Sequence, residues 1–145
     1  MLDDISDSIE IDAGRERVWE VLTTASLVEE WLGCIGFKAE IGTTFYMQPD
    51  PGKRANRNIE GATHCELEEL DEPFSMRFSW FMPGTPKTHV MIGLDETAPG
   101  RTRVALRHAG WDQFDPDDIR GVRDMLAGGW RSYVLPSLKR VAERR

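Results

Sequence analysis

Apolar side chains recur every second residue through the middle of this chain and every third or fourth residue towards its two ends. Ile9 and Ile11 alternate with Ser8, Glu10 and Asp12, which predicts a first strand. Val18, Trp19, Leu22 and Ala25 return at helical spacing, so a helix follows. Asp12 is its expected N-cap, because a carboxylate accepts the free amide hydrogens of a first turn. Ser26 is the expected cap of a second short helix carrying Leu27, Val28, Trp31 and Leu32. Gly33 and Gly36, on either side of Cys34-Ile35, mark its end.

The middle reads as a run of antiparallel strands. Phe37, Ala39 and Ile41 alternate with Lys38 and Glu40, Gly42-Thr43 turns, and Thr44 to Gln48 continues as the next strand. Residues 49–57 have no periodicity and are expected to form an exposed loop. Ile59, Gly61, Thr63, Cys65 and Leu67 then form an inward set, against Glu60, His64, Glu66 and Glu68 outside. After a turn at Asp71-Glu72-Pro73, the next inward set is Phe74, Met76, Phe78 and Trp80. Beyond Pro83 to Pro86 comes Val90, Ile92 and Leu94. Beyond Pro99-Gly100 comes Val104, Leu106 and His108.

The period then lengthens. Asp115-Pro116 suits an N-cap followed by the first helical position. Asp117 and Asp118 suit the positive end of the helix dipole, and Lys139, Arg140, Arg144 and Arg145 the negative end. A stripe from Ile119 through Val122, Met125, Leu126, Trp130, Tyr133, Val134 and Leu138 to Val141 predicts one long helix. Gly128-Gly129 weaken it, and Pro136 is expected to kink it or end it early. The order is strand, two helices, about six strands and a long helix, for a sheet of six or seven strands. It predicts an α+β domain spanning 1–145, in which the last helix covers the apolar face of a curved antiparallel sheet.

Composition narrows the function. With 145 residues, 40% of them apolar and 30% charged, the chain has the makeup of an ordinary globular domain that needs no disulfide or metal. A net charge of −7 without a basic stripe argues against nucleic acid and an anionic membrane as partners. Met1-Leu2-Asp3-Asp4 has the wrong sign for a signal-peptide start, and no apolar run spans a bilayer, so a cytoplasmic location is expected. Cys34 and Cys65 are then expected as reduced thiols, and their spacing supports no zinc or redox pair.

Local wording points further. Ile9-Glu10-Ile11-Asp12-Ala13 precedes Glu16-Arg17-Val18-Trp19, then Leu22-Thr23 and Trp31. Leu106-Arg107-His108-Ala109-Gly110-Trp111 follows the last strand pattern, and Gly129-Trp130 leads to Leu135 and Leu138. In this order the three motifs resemble the helix-grip fold of the START-like, polyketide-cyclase-related (SRPBCC) superfamily, in its activator of heat-shock-protein ATPase homologue branch. Relatives include ligand carriers, cyclases, proteins that sequester toxic compounds and co-chaperone-like domains, so the resemblance implies the fold and leaves these functions open.

The inward residues Phe45, Met47, Thr63, Cys65, Met76, Phe78, Trp80, His108, Met125 and Trp130 could line a cavity for a small apolar or aromatic ligand. They could equally fill a close-packed core. His108 with Asp112 could support a cyclase- or hydrolase-like activity by acid–base chemistry, with Tyr46 or Tyr133 as a proton donor. Without it, His108 is a structural histidine. His64 and His89 fall on the outer set, so no metal site is expected. No G-x-S-x-G, G-x-G-x-x-G or P-loop is present, and no cofactor is expected. Trp19 and Trp31 are expected to pack the short helices onto the sheet. Trp111 and Phe114 form an apolar pair that could meet a protein partner or a second copy of the chain. Lys53, Arg54 and Arg57 place a basic spot, able to meet an anionic group, on an acidic protein.

Overall fold

A computed structural model describes residues 2–144. The alternating segments form β1 (Ile5–Ile11), β2 (Cys34–Ile35), β3 (Thr44–Met47), β4 (Thr63–Asp71), β5 (Ser75–Trp80), β6 (Thr88–Ala98) and β7 (Arg101–Ala109). Every pairing is antiparallel, in the order β1-β7-β6-β5-β4-β3-β2. The sheet is thus a meander whose far edge is completed by the first strand: Ile5 pairs with His108 and Ile11 with Thr102. The helices are α1 (Arg15–Thr23), α2 (Ala25–Leu32), α3 (Pro51–Ala55), α4 (Pro116–Gly129) and α5 (Leu135–Glu143). One curled sheet with a helical cover is the α+β architecture that the periodicity predicts, and the helix-grip fold that the resemblance implies.

The core follows the inward sets. Phe45, Cys65, Leu67, Met76, Phe78, Val90, Ile92, Val104 and Leu106 are buried on one face of the sheet. Val18, Trp19, Val21 and Leu22 of α1, and Val28, Trp31 and Leu32 of α2, complete that core. From α5 it receives Leu135, Leu138 and Val141. The rings of Phe37, Phe45 and Phe78 form an edge-to-face series with centroids 5.2 and 5.3 Å apart.

Several local expectations are corrected. Residues 37–41 form no strand: Phe37 packs inward, but Ile41 is 61% exposed in a turn. The edge strand is instead the short β2 at Cys34–Ile35. Within 49–57, a helical turn replaces the open loop, because Asp50 accepts from the amides of Gly52 and Lys53 and Pro51 has no amide to satisfy. The β4 strand begins at Thr63, not Ile59. A turn closed by Ala62 N–H to Ile59 C=O, with Gly61 at φ +77°, leaves Ile59 exposed. Phe74 is also outside, where Arg15 lies 4.7 Å over its ring. The N-caps of α1 and α2 are Gly14 and Thr24, so Asp12 and Ser26 cap neither helix. Arg145 lies outside the described residues.

The C-terminal stripe is one helical run in two registers. After α4 the backbone widens into a π-turn over Trp130–Val134, and Leu135 donates to the carbonyl of Trp130, five residues back. Pro136 then sits in the first turn of α5, where a missing amide costs little. The glycine pair stays helical, with Gly129 at φ −64°. The two halves differ in packing. In α5 four residues are buried, whereas in α4 none is.

Candidate functional site

The under-packed α4 roofs a cleft. Its wall comes from the open end of the sheet: Met47 and Gln48 at the end of β3, Thr63 at the start of β4, and Trp80 at the end of β5. Its roof is Met125, Leu126 and Gly129 of α4 with Trp130 and Val134 of the π-turn, and Leu32, Gly33, Pro49 and Arg54 close one end. This lobe has a volume of about 300 Å³. A second lobe of about 260 Å³ continues past Trp80, Thr63, Met125 and Leu126 to Met82, Trp111, Ile119 and Val122. Pockets for small molecules are of this order and are mostly apolar with a few polar groups. Met125, 69% exposed, stands at the rim, as does Val122.

The structure therefore sorts the residues singled out by periodicity. Met47, Thr63, Trp80, Met125 and Trp130 line the cleft. Phe45, Cys65, Met76 and Phe78 lie in the core beneath it. His108 lies behind the cleft wall and is fully buried. Trp130 Nε1 donates to its Nδ1 at 3.2 Å, and Thr88 Oγ1 lies 2.7 Å from its Nε2. Thr88 Oγ1 in turn donates to the Trp80 carbonyl at 2.7 Å. The chain of donors is consistent only with a neutral imidazole carrying its proton on Nε2. Burial pulls the His108 pKa down to about 3, assisted by the charge of His89.

Asp112 is not brought to this imidazole. It lies exposed in the short 3-10 turn Trp111–Gln113, while both ring nitrogens are engaged elsewhere. Gly110 makes the turn possible: at φ +107° a Cβ there would stand 3.1 Å from Thr88 Cα. Trp111, expected at the surface, is buried and donates its indole hydrogen to the His108 carbonyl at 3.0 Å. Tyr133 is 76% exposed and lines neither lobe. Tyr46 packs edge-to-face on His64, and His89 Nδ1 lies 2.8 Å from Glu68. Among the described residues no group of three His, Cys, Asp or Glu side chains could hold a metal ion.

The thiols are inert by position. Burial and the charge of Glu29 push Cys34 up to about 12, and burial raises Cys65 well above its ordinary value.

Periodicity gave no access to the end wall of the cleft. Gln48 is buried, with its amide nitrogen donating to the carbonyls of Asn58 and Glu60 at 3.0 Å each, and its amide oxygen accepting from Asp50 N–H. This strap folds residues 49–60 against the sheet end and carries α3 with it. Arg54 of α3 lies over Gly33 and donates to the Gln48 carbonyl at 2.7 Å. The Asp50-Pro51 pair, the same signal as Asp115-Pro116, could have revealed α3.

A curled antiparallel sheet, two short helices behind its first strand and a C-terminal helix roofing an apolar cleft define a START-like helix-grip domain. Within that superfamily, the chain belongs to the family described as Activator of Hsp90 ATPase homolog 1-like protein, whose model matches residues 12–143. No curated protein matches the chain. Among solved structures it is similar to protein MLL2253 from Mesorhizobium loti, with 22% identity, a TM-score of 0.79 and 98% of each chain covered. It is likewise similar to BH1534 from Bacillus halodurans, with 25% identity, a TM-score of 0.74 and 98% of each chain covered. PFC0360w from Plasmodium falciparum, described as an HSP90 activator, shares 14% identity at a TM-score of 0.74, covering 95% of this chain and 94% of its own. No helix of the described residues is long and apolar enough to cross a membrane.

Proposed function

We propose that the domain binds a small hydrophobic or aromatic molecule in the cleft between the sheet end and α4. The observation that carries this reading is the contrast between α5, packed into the core, and α4, with no buried residue. A helix kept for packing alone would bury its apolar stripe. Here Val122 and Met125 are exposed and Ile119 and Leu126 only half-buried, all four lining lobes bounded by Trp80 and Trp130. Apolar area left open in this way gains roughly 25 cal/mol for each Å² that a ligand covers. Methionine at the rim suits a site that adapts to its guest. No acid–base role is assigned to His108, whose nitrogens are both committed.

The test is native mass spectrometry on gently purified protein, followed by a thermal-shift screen of aromatic compounds. A co-purified small molecule, or a compound that raises the melting temperature by binding only the folded state, supports the reading. Empty protein with no shift across the screen counts against it.

A second reading, engagement of a protein partner or a second copy, rests on the family and on the exposed side chains Met82, Met125 and Tyr133. Stimulation of an Hsp90-type ATPase, or a concentration-dependent dimer that Met125→Glu dissociates, would favour it.

A further inference from the structure

We infer that the ligand of the cleft is an amphipathic anion, with an apolar or aromatic body under α4 and a carboxylate received by Arg54. This rests on the cleft-binding reading above and specifies its chemistry. Among the described residues, Arg54 is the one charged side chain lining either lobe. A guanidinium has five donor hydrogens, and among the described residues that of Arg54 donates once, to the Gln48 carbonyl. No carboxylate of the described residues pairs with it. The acidic side chain of that corner, Glu29, is held by both terminal nitrogens of Arg57 at 3.3–3.4 Å. Asp50 is committed to the α3 amides.

The position is built. Gln48 pins the loop through three hydrogen bonds, and Asp50 and Pro51 start the helix that carries Arg54 to the cleft end. A half-buried guanidinium with free donors beside an apolar wall is placed to meet an anion, and its planar fork is matched to a carboxylate by two parallel hydrogen bonds. The Trp80 indole lies between the two lobes and, unlike those of Trp31, Trp111 and Trp130, donates to no acceptor among the described residues. Trp80 is therefore free to flank the body of such a ligand. A net charge of −7 opposes long-range attraction of anions, so selection falls to this local contact.

The experiment is calorimetric titration of the whole chain with 2-naphthoic acid and with 2-naphthamide, alike in shape and differing in charge. The wild-type protein is expected to bind the acid roughly tenfold or more tightly than the amide, as a charge-assisted bidentate contact implies. Arg54→Gln should lose that preference, and Arg54→Lys should keep part of it. Equal binding of acid and amide by the wild type, or a preference surviving in Arg54→Gln, overturns the anion assignment and leaves the cleft reading standing. Binding of neither compound, with both variants melting as the wild type does, overturns both.

Discussion

Trp130 donates its indole hydrogen to Nδ1 of His108 at 3.2 Å, tying the start of the π-turn to the last long strand. The imidazole is buried and neutral, with its pKa held at about 3 against 6.5 when unfolded. A histidine whose folded pKa is depressed stabilises the fold fully above its unfolded pKa, and this contribution is lost as pH falls towards the folded value. Between about pH 6.5 and 4.5 only the unfolded chain takes up this proton. Stability should therefore fall by about 1.4 kcal/mol per pH unit on His108's account. Urea denaturation across that window, in the wild type and in His108→Gln, checks it. The slope should be shallower in the variant.

The two faces of the cleft roof differ in their stake in folding. Trp130 is 2% exposed and its truncation to alanine should cost roughly 3–5 kcal/mol by loss of packing. Met125, at 69% exposure, should cost less than about 0.5 kcal/mol when replaced by alanine. Chemical denaturation measures both. Met125→Ala should also weaken ligand binding without lowering the melting temperature of the empty protein.

Cys34 and Cys65 are both fully buried and disfavour the thiolate. Neither should react with Ellman's reagent in the native state, and both should react once guanidinium unfolds the chain. Fast labelling of the native protein would show that the floor of the cleft opens.

Arg17 clasps the end of α5. Its guanidinium donates to the carbonyls of Val141, Ala142 and Arg144 at 3.1–3.3 Å, groups a helix end leaves without partners. Arg17→Ala should cost about 1–2 kcal/mol in urea denaturation. Arg17→Lys should recover little of this, since one ammonium cannot span three carbonyls.

The fold was legible because its strands have one wet face and one dry face. Cys65, Leu67, Met76, Phe78, Val90, Ile92, Val104 and Leu106 all lie where alternation puts them. Alternation misled at Phe37 to Ile41 and at Ile59 to Gly61, where glycine-bearing turns override it. For the cleft, period-two reading found the wall residues Met47, Thr63 and Trp80, but it cannot tell a wall from the core beneath, so Phe45 and Phe78 entered the same set. Helical periodicity found Met125 and Trp130 without revealing that α4 and α5 differ in depth. Arg54 and Gln48 were out of reach as a pair, because their roles arise from a strap between residues distant along the chain.

The central claim, a ligand held under α4, is tested most directly by following the tryptophan indole resonances of ¹⁵N-labelled protein during titration with 2-naphthoic acid. Trp80 and Trp130 line the cleft, whereas Trp19 and Trp31 line neither lobe. The account predicts saturable shifts of the Trp80 and Trp130 indoles, together with the amides of Thr63 and Leu126, while Trp19 and Trp31 stay fixed. A spectrum that does not move, or one that moves only at Trp19 and Trp31, would contradict it.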